Sequence, residues 1–302
     1  GGADGVLTAD GTWFDPLLEG FDPARMALRN PNRVTAVDPG RVRLALPLAD
    51  ADAALAVAIH ACGSYSHNWF HFLLEVIPRA RAAAQLAPPG TPVLTEADLP
   101  VQHLQMLRLM LPGCPVRTIP RGAGVAVARL WTATAGTVVH DAFPADGDHP
   151  ATAVRYHPAT LALWSAVARS LPPAGPGRVY LTRGGRVRRL TNGAALADAL
   201  ASRGFVALAP DRMGVEDQIR AGAGASVIVA QSGAGLANLV FARPGTRVYV
   251  LMSDAPGTNY RLWTALGEAL GLVVTVVVGP ADLARLARGL HPAHADHAVP
   301  VS

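Results

Sequence analysis

The sequence predicts an α/β fold in two domains, with a parallel sheet in the C-terminal half. Three observations lead there. Residues 178–278 alternate strand-like and helix-like segments without interruption, the pattern of parallel strands joined by right-handed crossovers. A polar, turn-rich stretch at 140–157, HDAFPADGDHPATAVRYH, separates that series from a less regular N-terminal part. The chain has 302 residues, 50% of them hydrophobic, which suffices for two cores. We therefore expect an N-terminal α/β domain over 1–150 and a Rossmann-like domain over 151–302.

In chain order, residues 41–46 alternate basic and apolar side chains, as a half-exposed strand does. The continuous apolar run 55–60 fits a strand buried on both faces. From His67 to about Leu86 the pattern is helical, with a kink or break expected at Pro78. A strand at 91–94, a helix at 100–111 and strands at 116–119 and 125–131 complete the first domain. A helix at 158–170 follows the predicted linker. Strands at 179–182, 205–209, 226–230, 246–251 and 272–278 then alternate with helices at 194–203, 215–221, 236–242 and 259–270. The remaining tail, with its HPAHADH run, is expected to be frayed. In parallel sheets of this kind ligands bind outside the carboxyl ends of the strands, beside helix N-termini.

Composition excludes several classes. The formal net charge is +4, and all 26 basic side chains are Arg. An anion site must therefore use guanidinium forks and backbone N–H groups. The Arg residues are scattered with few aromatics among them, so no nucleic-acid partner is expected. Cys62 and Cys114 are too few for a disulfide scaffold, which points to a reducing compartment. No apolar run approaches the ~20 residues of a membrane span, and Gly1 opens no leader-like layout, so a cytoplasmic protein is expected.

Four segments carry candidate chemistry. In VIVAQSGAGLANLVFA (227–242) an apolar strand runs into Ser232-Gly233-Ala234-Gly235 at a predicted helix start. Glycines there let N–H groups approach an anion, and the helix dipole favours a diphosphate. Asn238 stands where a dinucleotide fingerprint has its third glycine, and Asp254, just past the next strand, stands where a ribose-binding acid would sit. A tight turn that needs small residues for packing is the competing explanation. In YLTRGGRVRRL (180–190) a strand ends with Arg183 at its carboxyl end, aimed at the same cleft as Gly233. Arg186 and Arg188 suit an exposed loop better.

In SYSHNWFHFLLEVIPRARA (64–82), His67, His71 and Glu75 recur at a spacing of four on one helix face. A buried His with a carboxylate can act as a general base; a core His satisfied by Glu75 is the structural alternative. The three groups span two turns, an awkward set for one ion, and no metal is expected. In VEDQIRAGAGA (215–225), Glu216 and Gln218 begin a helix, where acidic residues suit the dipole.

Together these segments resemble glycosyltransferase family 61, in its bacterial branch. The residues that carry the resemblance are Asn68, His71, Glu75, Pro78 and Arg79, then Tyr180, Leu181, Thr182 and Arg183. Arg189 with Asn192, Glu216 with Gln218, and Gly233, Ala234, Gly235, Leu236, Asn238 and Phe241 complete the match, over roughly residues 60–255. Many members carry His where this chain has Ser232, and Glu where it has Gly193.

The resemblance implies two facing Rossmann-like domains of GT-B type and inversion at the anomeric carbon. Its donor would be a nucleoside-diphosphate sugar, expected to be UDP-linked, held by the C-terminal domain. The acceptor would be a saccharide hydroxyl on the N-terminal side, in surface or capsular polysaccharide assembly, with peripheral membrane contact left open. His71 or Glu75 would be the base. Arg183, Arg189, Asn192, Gln218, Ser232, Gly233, Ala234, Gly235, Asn238 and Asp254 would bind the donor. Arginine and N–H groups would stabilise the leaving diphosphate, so no cofactor is required.

Other readings compete. Ser232, Asp254 and His291 follow the chain order of an α/β-hydrolase triad, but Ala230 and Ala234 replace the glycines of a nucleophile elbow. An NAD-linked oxidoreductase should carry its fingerprint in the first βα unit, and here it comes late. A sugar-nucleotide-binding protein that has lost turnover is the non-enzymatic alternative.

Overall fold

The computed structural model describes residues 6–10, 13–14, 34–38, 41–44, 51–63, 65–120, 123–134, 136–139, 154–185 and 187–301. Two compact units make up the chain, Gly1–Gly136 and Thr137–Ser302. Both are mixed α/β units built on a parallel sheet. Most of the predicted linker, 140–153, Arg186 and the end of the strand predicted at 41–46 lie outside the described residues.

In the first unit, β1 (Ala51–His60), β2 (Val93–Glu96), β3 (Val116–Ile119) and β4 (Gly124–Trp131) are all parallel, in the order β3-β2-β1-β4. The apolar run at 55–60 lies in an interior strand, with Ala58 and Ile59 fully buried. The chain steps from β1 to β3 in one direction, and β4 returns to the other side of β1. The strand order therefore reverses between β1 and β4.

The helix predicted after His67 forms without a break. Asn68 caps it, its Oδ1 accepting from the Phe70 N–H at 3.0 Å. One α-turn, Trp69–His71, widens into a π-turn, Phe72–Val76, and continues as α-helix over Ile77–Leu86; we call the whole run α1. Where a kink or break is expected near Pro78, the α-helical ladder gives way to that wide turn. Pro78 has no N–H to donate and its ring crowds the carbonyl four residues back, so the widened turn just before it absorbs the misfit. Phe72, Leu73, Leu74 and Ile77 are fully buried, which makes α1 a core helix around most of its circumference. Between β2 and β3 runs α2 (Val101–Met110).

The second unit opens with α3 (Pro158–Ser170) and alternates as predicted: β5 (Arg178–Leu181), α4 (Gly193–Ala201), β6 (Val206–Leu208), α5 (Val215–Gly224), β7 (Val227–Gln231), β8 (Arg247–Ser253), α6 (Arg261–Leu270) and β9 (Val273–Gly279). All five strands are parallel, ordered β6-β5-β7-β8-β9. Tyr180, Val229 and Leu251 on one face pack with Leu196 of α4 and with Val299 from the tail.

Two expectations need correction here. The helix after Gly233 is not α but a 3-10 run, Ala234–Phe241. Gly235 and Asn238 both disfavour an α-helical interior. The tighter turn closes instead, with the Leu236 N–H donating to the Gly233 carbonyl at 2.9 Å.

Nor is the C-terminal tail frayed. Its β10 (Ala281–Asp282) pairs antiparallel with β11 (Asp296–His297), and the segment is strapped over the loop that follows β5. The Arg188 N–H donates to the His294 carbonyl, the Thr191 N–H to His297, and the His297 N–H to Arg189, at 2.8–3.1 Å. A side chain on Gly279 would collide with the Ala298 carbonyl, so glycine is required where the strap crosses the sheet end. These are pairings across about a hundred residues, and local periodicity does not register them.

Candidate functional site

In the second unit the chain steps from β5 to β6, then returns to lay β7 on the other side of β5. Ligands in open parallel sheets sit outside the carboxyl ends at such a reversal. Beyond the last residue of β5 come Thr182 and Arg183; beyond β7 come Ser232 and Gly233. Thr182 fixes the first strand end, its N–H and Oγ1 both donating to the Leu208 carbonyl, at 2.8 and 3.0 Å.

Arg183 then lies across two glycines. A Cβ on Gly233 would sit 3.0 Å from its Nε and 3.1 Å from its Cδ, and a Cβ on Gly185 would sit 3.0 Å from its Nε and Nη2. The absence of side chains is what lets the guanidinium lie there. Its Nη1 donates to the Ser232 carbonyl at 3.3 Å. No carboxylate among the described residues forms an ion pair with it. Burial and, after it, the nearby Arg188 cation lower Arg183 to about 10, with Asp296 opposing, so it remains charged at neutral pH. The first N–H groups of a 3-10 turn have no partner within the turn, and those of Ala234 and Gly235 occupy that position just past Gly233. A partly buried guanidinium beside such amides is suited to an anion.

The other predicted donor residues are placed differently. Ser232 is buried and its Oγ accepts from the Trp263 indole N–H at 2.9 Å, which is the position of a structural hydroxyl and not of a nucleophile. Gln218 donates to the Pro210 and Met213 carbonyls, at 2.8 and 3.2 Å, and accepts from Asn238 at 2.8 Å. That pair ties α5 to the 3-10 run. Arg189 gives its fork to Asp296, at 2.9 and 2.7 Å, and Asn192 bonds both the carbonyl and the N–H of Val299. The Arg/Asn stretch thus holds the tail. Asp254 accepts from the Ala281 N–H at 2.8 Å. Arg188 adopts a left-handed backbone, φ 57°, unusual for a residue with a side chain.

In the first unit, His71 Nδ1 lies 3.0 Å from Glu75 Oε2, and the two residues are 4% and 1% exposed. Tyr65 stacks on the imidazole with ring centroids 5.0 Å apart. His67 turns away to Asp98, at 3.0 Å on the surface, so the trio predicted on one face separates into a buried pair and an exposed one.

Sequence reasoning missed Glu96 and the structural role of Arg79. Glu96, at the end of β2, accepts from the Gly63 N–H at 3.1 Å and from Ser66 Oγ at 2.7 Å, fixing the loop before α1. Arg79, 1% exposed, donates to the Cys62 carbonyl at 2.5 Å, and its Nη1 lies 3.3 Å from His60 Nδ1. Burial, then Arg79, lower His60 to about 3. The Pro78-Arg79 pair was legible as a motif; its anchoring role was not. Among the described residues no group of three or more His, Cys, Asp or Glu side chains could hold a metal ion.

The profile of the family described as Glycosyltransferase 61 matches residues 69–249, more than half of the 302-residue chain. The chain belongs to this family and is a glycosyltransferase. Both buried clusters fall within the match, at His71–Glu75 and at Arg183–Gly233, whereas Asp254 and the C-terminal strap lie beyond it. Among curated proteins, none matches the chain. No helix among the described residues is long and apolar enough to cross a membrane.

Proposed function

We propose that the chain is an inverting glycosyltransferase that moves a sugar from a nucleoside-diphosphate donor to a saccharide hydroxyl. The observation that carries this reading is Arg183: a cation with no ion-paired carboxylate among the described residues, laid over Gly233 where the strand order reverses. The diphosphate binds there, on Arg183 and the N–H groups of Ala234 and Gly235. His71 is the base. Glu75 holds its Nδ1–H, which leaves the basic lone pair on Nε2. The acceptor oxygen loses its proton to Nε2 and bonds to the anomeric carbon from the face opposite the leaving group. The bond from that carbon to the diphosphate breaks, and its electron pair goes to the phosphate oxygen, where Arg183 stabilises the growing charge. Glu75 stabilises the imidazolium that results.

The same proposal includes a UDP-linked donor, the acceptor on the first unit and the donor on the second, a GT-B arrangement, no required metal, and a cytoplasmic role in bacterial surface polysaccharide assembly. Thermal stabilisation across UDP-, GDP- and CDP-sugars and dinucleotides, beside Arg183→Ala, tests it. One sugar nucleotide at a hundred times its Kd should stabilise the wild type by about 2.7 kcal/mol and leave the variant unmoved. A response to NAD alone, or equal responses in both proteins, would overturn the reading.

A further inference from the structure

The C-terminal strap alternates as an extended segment does. Asp296 points to Arg189, and its neighbour His297 points the other way, 2% exposed. Val299, two residues on and on the same side, packs with Leu251 and Val229 over the sheet. His297 therefore faces the carboxyl ends of β5, β7 and β8 from beneath the strap. Neither of its ring nitrogens has a hydrogen-bond partner among the described residues, and both are closed to water. A group so placed is normally paired, since a buried donor or acceptor left without a partner costs stability. Gln231, the last residue of β7 and the register partner of Leu251, repeats the pattern: it is 8% exposed and its Nε2 has no partner.

Of the polar groups near His297, the carboxylates Asp296 and Asp254 are bonded to Arg189 and to the Ala281 N–H, and the rest are mostly donors. Arg183 offers N–H groups only, Gln231 leaves its NH2 unused, and a neutral imidazole offers one N–H. His297 is held neutral, lowered by burial and by Arg183 and Arg188 against the opposing pull of Asp296 and Asp254. Buried donors left without partners near a guanidinium suit an anion with several acceptor oxygens.

We infer that His297 is a donor-binding residue, carried by the C-terminal strap, whose ring N–H contacts a phosphate oxygen of the nucleoside diphosphate held by Arg183. The inference rests on the donor site proposed above. It makes the strap the third wall of that site, beside the two strand ends. A phosphate oxygen reaches the ring as the strap adjusts around it, and the new bond replaces none to water.

Isothermal titration calorimetry with UDP, GDP, CDP and inorganic pyrophosphate tests this on the full chain, comparing wild type with Arg183→Ala, His297→Met and His297→Gln. Because the imidazole makes no internal hydrogen bond, His297→Met should keep or raise Tm while weakening diphosphate binding at least about tenfold. His297→Gln, which restores an N–H donor, should recover part of that loss. If Arg183→Ala loses affinity and His297→Met does not, the strap residue is structural and this inference falls while the donor site stands. A lowered Tm in His297→Met would equally overturn it, by exposing a partner within the protein. If no compound binds the wild type, the donor site itself falls, and this inference with it.

Discussion

The strand ends of the two units carry similar side chains under opposite conditions. Around the candidate base of the first unit the buried polar groups meet one another: His71 with Glu75, Arg79 with the Cys62 carbonyl and His60, Glu96 with Gly63 and Ser66. Elsewhere in that unit the ring nitrogens of His103 keep no hydrogen-bond partner among the described residues. In the second unit the strap consumes Arg189 and Asn192, but Arg183 keeps no carboxylate and His297 and Gln231 keep no partner for their nitrogens among the described residues. The first arrangement fixes an orientation, as a base needs. The second leaves donors unspent, as a site for a multiply charged ligand needs. A buried polar group that is satisfied contributes to rigidity; one left unsatisfied costs stability until a ligand arrives.

Substitutions can break this contrast. The largest effect is expected at His71: His71→Ala should lower kcat by about 10²–10⁴, while Glu75→Gln should fall less and shift the pH–rate profile, because Glu75 acts through the imidazole. Equal sugar transfer by His71→Ala in a donor–acceptor assay would remove the base from that position. Next comes Arg183→Lys, which keeps the charge and loses the fork; donor affinity should drop by roughly tenfold with Tm unchanged, read by calorimetry.

Arg79→Met, in the first unit, should do the reverse. It strands the Cys62 carbonyl and should cost about 2–3 kcal/mol in denaturant unfolding, without lowering donor affinity. His103 gives a smaller, pH-dependent effect. It lies against Trp69 and Phe72, and burial lowers it to about 4, with His67 adding to the effect. Like His60, it binds its proton in the unfolded chain first. The contribution of His103 to stability should therefore be full above about pH 6.5 and fall as pH drops towards 4, at a slope of no more than about 1.4 kcal/mol for each step of one in pH, with His60 adding its own. His103→Leu should flatten that slope in Tm measured against pH. Gly233→Ala should be mildest: its φ of 167° suits any residue, so stability should hold. The new methyl meets Arg183 Nε and should weaken donor binding several-fold.

The legible parts of the fold were those with a local cause. The alternation from β5 to β9 followed from apolar runs punctuated by Gly and Pro, and the helix at 158–170 appears with the expected bounds. Arg183 and Gly233 were each legible because a strand ends beside them. Three things were not. The π-turn before Pro78 arises because a buried helix keeps its packing and bends its hydrogen bonds instead. The internal use of Gln218 and Asn238 depends on α5 meeting the 3-10 run, 20 residues apart. The strap was least visible, since its HPAHADH composition reads as loop.

By itself the sequence determined the α/β class, the parallel sheet of the C-terminal half, the Arg-only chemistry of any anion site, and the segments that mark the family. These depend on neighbours a few residues apart, where backbone geometry dictates the spacing. Only the tertiary structure decided which polar groups are spent and which remain. Asp296 reaches Arg189 and Val299 reaches Asn192 across 107 residues, and those contacts leave His297 facing the strand ends. Such pairings are chosen by the burial and hydrogen bonding of the whole unit, because a buried polar group must find its partner wherever the fold brings one.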